Sequence, residues 1–247
     1  MGRFIGERKA LAAAVLGFYG FMFLILAAAA PPGWGAAFAG MGGIYALAFF
    51  GIVAGYFWAR WFSIGVGISG LVTAIMSMWQ VGIDPIFIFW GGTHGGMSLM
   101  LWGDKMSKGF DGRAEWRERF HLDESATHRL GKSVIRVGVS LPYIILYALA
   151  PKDGASEALI IAGFSGLAIA GMWAMVHMRT WGVLAMGGGA AGLLTTLGST
   201  SNTVSLSSSS GYAVNVFLVG LAGAIVLIAA LAPFAAPIAR FLKAEPR

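Results

Sequence analysis

The sequence predicts an all-α, polytopic integral membrane protein, and three observations carry that reading. Of 247 residues, 57% are hydrophobic and only 11% charged, less than half the roughly 25% charge of a soluble domain. Apolar runs reach the roughly 20 residues that a hydrocarbon core about 30 Å thick demands of a helix. The basic residues gather in the connections on one side of those runs. Such a composition, with a mean hydropathy of +0.76, excludes a soluble globular enzyme, a disordered chain and a disulfide-stapled secreted module. The absence of Cys removes Fe–S clusters, thiolate zinc sites, c-type haem attachment and cysteine nucleophiles.

Eight segments qualify as transmembrane helices, approximately 10–30, 36–58, 62–80, 85–102, 133–150, 157–177, 181–199 and 212–236. Continuous runs such as Ala10 to Ala30 lack the alternation of a barrel strand, and lipid satisfies no backbone group outside a helix or closed barrel. The first segment has a basic start and ends in Ala28-Ala29-Ala30, which resembles a signal cleavage site. Pro31 follows directly, so it reads as a retained helix. Glycines at close spacing, as in Gly51-x-x-x-Gly55 and Gly187-Gly188-Gly189, let helices approach closely in lipid. Asp84 before Pro85 predicts an N-cap with proline at the first helical position. Pro142 should kink the fifth span.

Placing both termini in the cytoplasm puts every one of the 17 basic residues except Lys152 on the cytoplasmic side, as the positive-inside rule requires. Trp58, Arg60, Trp61, Arg179 and Trp181 read as topology and interface anchors, in tight basic turns at 58–61 and 178–181. The net charge of +6 then answers to topology and to anionic headgroups, with no need of nucleic acid. The expected setting is the cytoplasmic (inner) membrane of a prokaryote.

An offset of 120 residues sets Ile25, Leu26, Ala28, Ala30 and Pro31 on Ile145, Leu146, Ala148, Ala150 and Pro151, and Trp61 on Trp181. The chain therefore divides into a first four-helix half (1–102), a cytoplasmic amphipathic connection (103–132) and a second four-helix half (133–247). An even number of spans per half makes these parallel pseudo-repeats, with their axis along the membrane normal. In the connection, Trp116 and Phe120 share a helical face while Glu115 and Arg119 can pair, the pattern of a short interfacial helix. Asp123 is a plausible N-cap for a second helix running on into the fifth span. The outer connection 200–211 is hydroxyl-rich and uncharged, a flexible-loop composition.

Ionisable groups within a span are functional suspects by default. No carboxylate lies at mid-depth, which counts against proton- or sodium-coupled transport. His94 does, about 14 Å into its span at 1.5 Å per residue, in the setting Gly91-Gly92-Thr93-His94-Gly95-Gly96. Thr93, His94, Gly92 and Gly95 are the candidate ligand-binding residues. The glycines would admit a neighbouring helix, a cofactor ring or a substrate, or break the helix and bare its carbonyls. A bis-His haem is disfavoured because His177 belongs at the cytoplasmic end of its span, and the cofactor is left unassigned. His121, Asp123, Glu124 and His128 are weak candidates for one metal ion. No nucleophile elbow, phosphate loop or catalytic carboxylate pair appears. The expected function is non-enzymatic: an accessory or scaffolding subunit of a larger membrane complex, partnered by lipid and by other subunits or itself. The alternative is a passive small-solute transporter or channel with its pathway near His94.

Overall fold

A computed structural model describes residues 4–107, 109–110, 124–152, 154–177, 179, 181–197 and 216–243. Every regular element among them is a helix: α1 (Ile5–Ala29), α2 (Gly35–Ala54), α3 (Phe57–Val81), α4 (Pro85–Leu101), α5 (Asp104–Ser107), α6 (Glu124–Leu149), α7 (Ala155–Val176), α8 (Trp181–Leu197) and α9 (Val216–Lys243). Six of these are long and apolar enough to cross a membrane. The two remaining long helices, α4 and α8, have 17 residues each, about 26 Å at 1.5 Å per residue. All eight expected spans are therefore helical, two of them at the short limit.

Local chemistry sets the boundaries. The N-cap expected at Asp84 is present: its carboxylate accepts from the Ile86 N–H at 2.8 Å, with Pro85 following. The tight basic turn expected at 58–61 lies elsewhere. Gly55, at φ 73°, ends α2 in the left-handed conformation that glycine adopts without steric cost, so Trp58, Arg60 and Trp61 belong to the first turns of α3. The fifth span begins well before 133, at Glu124, as a helix running on from the connection would. Asp123 and the expected interfacial helix around Trp116 and Phe120 lie outside the described residues, as does the loop 200–211.

The first four helices close on one another: α1 packs on α2 and α4, and α3 on α2 and α4. The last four do likewise, α6 on α7 and α9, and α8 on α7 and α9. α6 joins the two groups by lying against α3 and α2. Glycine makes that joint: a methyl on Gly138 of α6 would stand 2.6 Å from the Phe62 carbonyl oxygen, and one on Gly65 of α3 would strike the Ile135 carbonyl. Between α7 and α8 the same backbone-to-backbone approach occurs at Gly171 and Gly182.

The helices alternate in direction, giving the bundle a near end, where α1 starts, and a far end. At the near end Arg8 donates to the Leu99 and Trp102 carbonyls at 3.3 and 3.0 Å, and Arg60 to those of Leu101 and Gly103 at 2.8 and 2.9 Å. Two guanidiniums thus supply donors to the carbonyls at the end of α4 and oppose its negative dipole end. Trp61 packs on Gly131 of α6, while Ser133 reaches Met175 of α7 and Ala230 of α9. Arg179 follows α7 at this same end. The Ala229 carbonyl, whose ordinary helical donor would be the missing N–H of Pro233, receives Arg136 at 2.7 Å. Trp58 and Trp61 pack between elements, against Gly51 and Gly131 respectively. Trp181 is half exposed.

At the far end the two proline-bearing turns meet, Gly33 against Pro151. Lys152 caps α6 there, donating to the Tyr147 and Ala150 carbonyls at 2.7 and 2.9 Å. Burial holds its pKa below the usual lysine range, against the opposing pull of Glu157.

These close approaches make a specific prediction for thermal unfolding in detergent. Gly65→Ala should lower the midpoint, by about 1–3 kcal/mol of overpacking. Gly163→Ala, where an added methyl meets nothing within 4 Å, should leave the midpoint unchanged or raise it slightly.

Candidate functional site

α4 is an unbroken helix through its four glycines, so its carbonyls stay within the helix. His94 projects from it into the first helical group and is fully buried. Its Nδ1 lies 2.8 Å from the Trp90 carbonyl oxygen and its Nε2 lies 2.6 Å from the Tyr45 hydroxyl. A carbonyl can only accept, so Nδ1 carries a proton and donates to Trp90, while Nε2 pairs with the Tyr45 hydroxyl. Both nitrogens are engaged.

Aromatic rings enclose the imidazole. Trp90 stacks on it at 4.9 Å and 18°, Tyr19 lies 4.3 Å away, and Tyr45 meets it edge-on at 5.8 Å. The remaining side is closed by α3, where a methyl on Gly70 would overlap the imidazole carbons. Thr93, the neighbouring candidate, donates back to the Phe89 carbonyl at 2.8 Å. Its oxygen therefore accepts from Tyr19, 2.6 Å away. Two tyrosines of α1 and α2 thus tie themselves to consecutive residues of α4.

The other candidates of the sequence stand apart. A methyl on Gly92 would meet nothing within 4 Å, and one on Gly95 only Leu71. Helical steps of about 100° turn these glycines away from the imidazole, and its room is made by Gly70 on another helix. Among the described residues no group of three metal-ligating side chains comes together. His121 and Asp123 lie outside those residues, as do the side chains of Glu124 and His128. His177 caps the end of α7, its Nδ1 2.9 Å from the Trp173 carbonyl.

Beside Tyr45 is a cavity of about 200 Å³, lined by Phe23, Trp34, Phe38, Met41, Trp90 and Tyr143 among others. The lining runs from mid-helix, at Tyr45 and Ser69, toward the far end, and α6 and α9 contribute to the wall as well as α1 to α4. The lining is almost wholly apolar. Among its hydroxyls, Thr73 donates to the Ser69 carbonyl at 2.9 Å, and Tyr143 lies 3.3 Å from both that oxygen and Thr73. Tyr19, Tyr45 and Trp90 were accessible to sequence reasoning as polar-tipped aromatics at mid-span, which need partners in lipid. The spacing of four between Trp90 and His94 places them on one helical face. Nothing in the sequence pairs α2 with α4 or brings α6 to the cavity wall.

No known protein family, curated protein or solved structure matches this chain.

The enclosure predicts a coupled pair of substitutions. Gly70→Ala should destabilise the protein by about 1–3 kcal/mol through overpacking, and most of that loss should vanish in a His94→Ala background, read as a double-mutant cycle of unfolding midpoints. Tyr45→Phe, which strands the buried Nε2, should cost about 1–3 kcal/mol in the same assay.

Proposed function

We propose that this chain is a non-enzymatic integral membrane protein, an accessory or scaffolding subunit of a larger membrane complex. The observation that carries the reading is the closure of the His94 site. A group that ligates a metal or meets a passing solute needs an approach. Here both nitrogens are taken, and the imidazole is wholly enclosed. The site instead works as a fastener between α2 and α4. The alternative, a passive pathway near His94, draws less support. A polar solute entering the adjoining cavity would lose hydration and meet almost wholly apolar walls.

The finer architecture belongs to the same reading. Moved by 120 residues, α1 and α2 begin and end within two residues of α6 and α7, which supports two parallel four-helix pseudo-repeats. The joint between the halves favours divergence since any duplication. A two-fold axis would match the packing of α6 on α2 and α3 with α1 on α7 and α8, whereas the extensive contacts between halves among the described residues are made by α6. We place the near end and both termini in the cytoplasm, a reading that Arg8, Arg60 and Arg179 at that end support by the positive-inside rule and that fits anionic headgroups. The setting we propose is a prokaryotic inner membrane, with other subunits or a second copy as partners.

Native mass spectrometry of the protein extracted gently from its source membrane tests this. A particle heavier than the 25.9 kDa chain, carrying other subunits or copies in fixed ratio, is expected. A stable bare monomer would overturn the subunit reading. The passive-pathway alternative would gain if reconstituted vesicles showed a solute flux abolished by His94→Leu.

A further inference from the structure

The cavity beside Tyr45 has no part in the fastener, and its walls specify a chemistry. We infer that it is a binding site for an uncharged hydrocarbon group with the bulk of about one substituted benzene ring. This inference stands independently of the subunit reading.

Three features lead there. The first is the wall itself, in which rings of Phe23, Phe38, Trp34, Tyr45, Trp90 and Tyr143 surround the space, with Met41 between them. Flat ring faces and edges suit a planar guest at the centroid separations of about 4.5–7 Å that aromatic pairs prefer, and the thioether of methionine adapts to its outline. The second is how little the walls offer a charged guest, the buried Trp90 Nε1–H being a donor without a partner in an otherwise apolar lining. No charged side chain lines the space, the Tyr45 hydroxyl is committed to His94, and those of Thr73 and Tyr143 are committed around the Ser69 carbonyl. A charged or strongly hydrated guest would find no replacement for its water. The third is size. At about 200 Å³, the space exceeds the roughly 150 Å³ of an engineered apolar cavity that stays dry and takes up benzene.

Position tells how such a group arrives. The lining runs from the middle of the bundle toward its far end, where α6 and α9 complete the walls begun by the first four helices. A hydrocarbon already dissolved in that leaflet need not cross water to enter. The same chemistry has two sources, a small free molecule and the end of a lipid chain.

Fluorine NMR of fluorobenzene with the purified protein in detergent distinguishes the possibilities. We expect a saturable protein-bound resonance of one equivalent. Val219→Phe, which fills the wall on α9, should weaken it at least tenfold, and Met41→Ala, which enlarges the space, should shift preference toward fluoronaphthalene. The unfolding midpoints of both variants serve as the check that they fold. Native mass spectrometry supplies the second arm: a one-to-one lipid displaced by fluorobenzene assigns the lipid source, and a lipid-free particle that binds fluorobenzene assigns the free one. Binding of 4-fluorobenzoate in place of fluorobenzene, lost in Val219→Phe, would overturn the hydrocarbon class while leaving a site in the cavity. Fluorobenzene binding indifferent to both folded variants, or no binding at all, would overturn the site itself. None of these outcomes bears on whether the chain travels with other subunits.

Discussion

Inside a hydrocarbon slab a polar group has no solvent to fall back on, and much of this molecule follows from that requirement. The carbonyls at the end of α4 lack a full set of helical donors, and Arg8 and Arg60 reach across to them. The proline in α9 withdraws a donor from Ala229, and Arg136 supplies one. Tyr19 and Tyr45 carry hydroxyls into the apolar interior, and Thr93 and His94 receive them. Tyr147 repeats the arrangement in the second group, lying 3.1 Å from Thr196, whose own proton goes to the Leu193 carbonyl. Each bond also joins two helices, so meeting the requirement and assembling the bundle are one process.

Close packing supplies the remainder. Burying apolar surface drives little association when the surroundings are equally apolar, and contact must come from backbones brought near one another. Gly65 with Gly138, and Gly171 with Gly182, do this at two separate joints. Gly70 does it for a side chain, making the space in which the His94 ring lies. Serine contributes where glycine would leave a void: Ser98 of α4 donates to the Ile64 carbonyl of α3 at 3.2 Å while filling the space beside Gly67.

What the sequence disclosed follows from which forces are local. The lengths of the apolar runs and the Asp84-Pro85 start are each written in a short stretch of chain, and a helix lies at each expected span, with ends displaced by up to nine residues. Trp58 and Arg60 were misplaced because Gly55 can end a helix one turn earlier than hydropathy suggests. His94 stood out, being the one imidazole at mid-span, yet its surroundings did not. Tyr19, Tyr45 and Gly70 lie on three other helices, and no spacing along the chain encodes which helix meets which. Gly92 and Gly95 drew notice by adjacency in sequence, and a helix separates such neighbours around its circumference. The cavity was beyond reach for the same reason, since its wall draws on six helices.

The arginine pair at the end of α4 carries an implication for how the chain is made. Membrane helices emerge from the ribosome in order, and the N-terminal parts of a chain settle first. α1 and α3 are synthesised before α4, so Arg8 and Arg60 are already at their surface when this 17-residue helix arrives. A segment with so little length to spare thereby meets a receiving dock at the moment it needs one. The order of the genes' reading, from first codon onward, thus serves the weakest span of the first half.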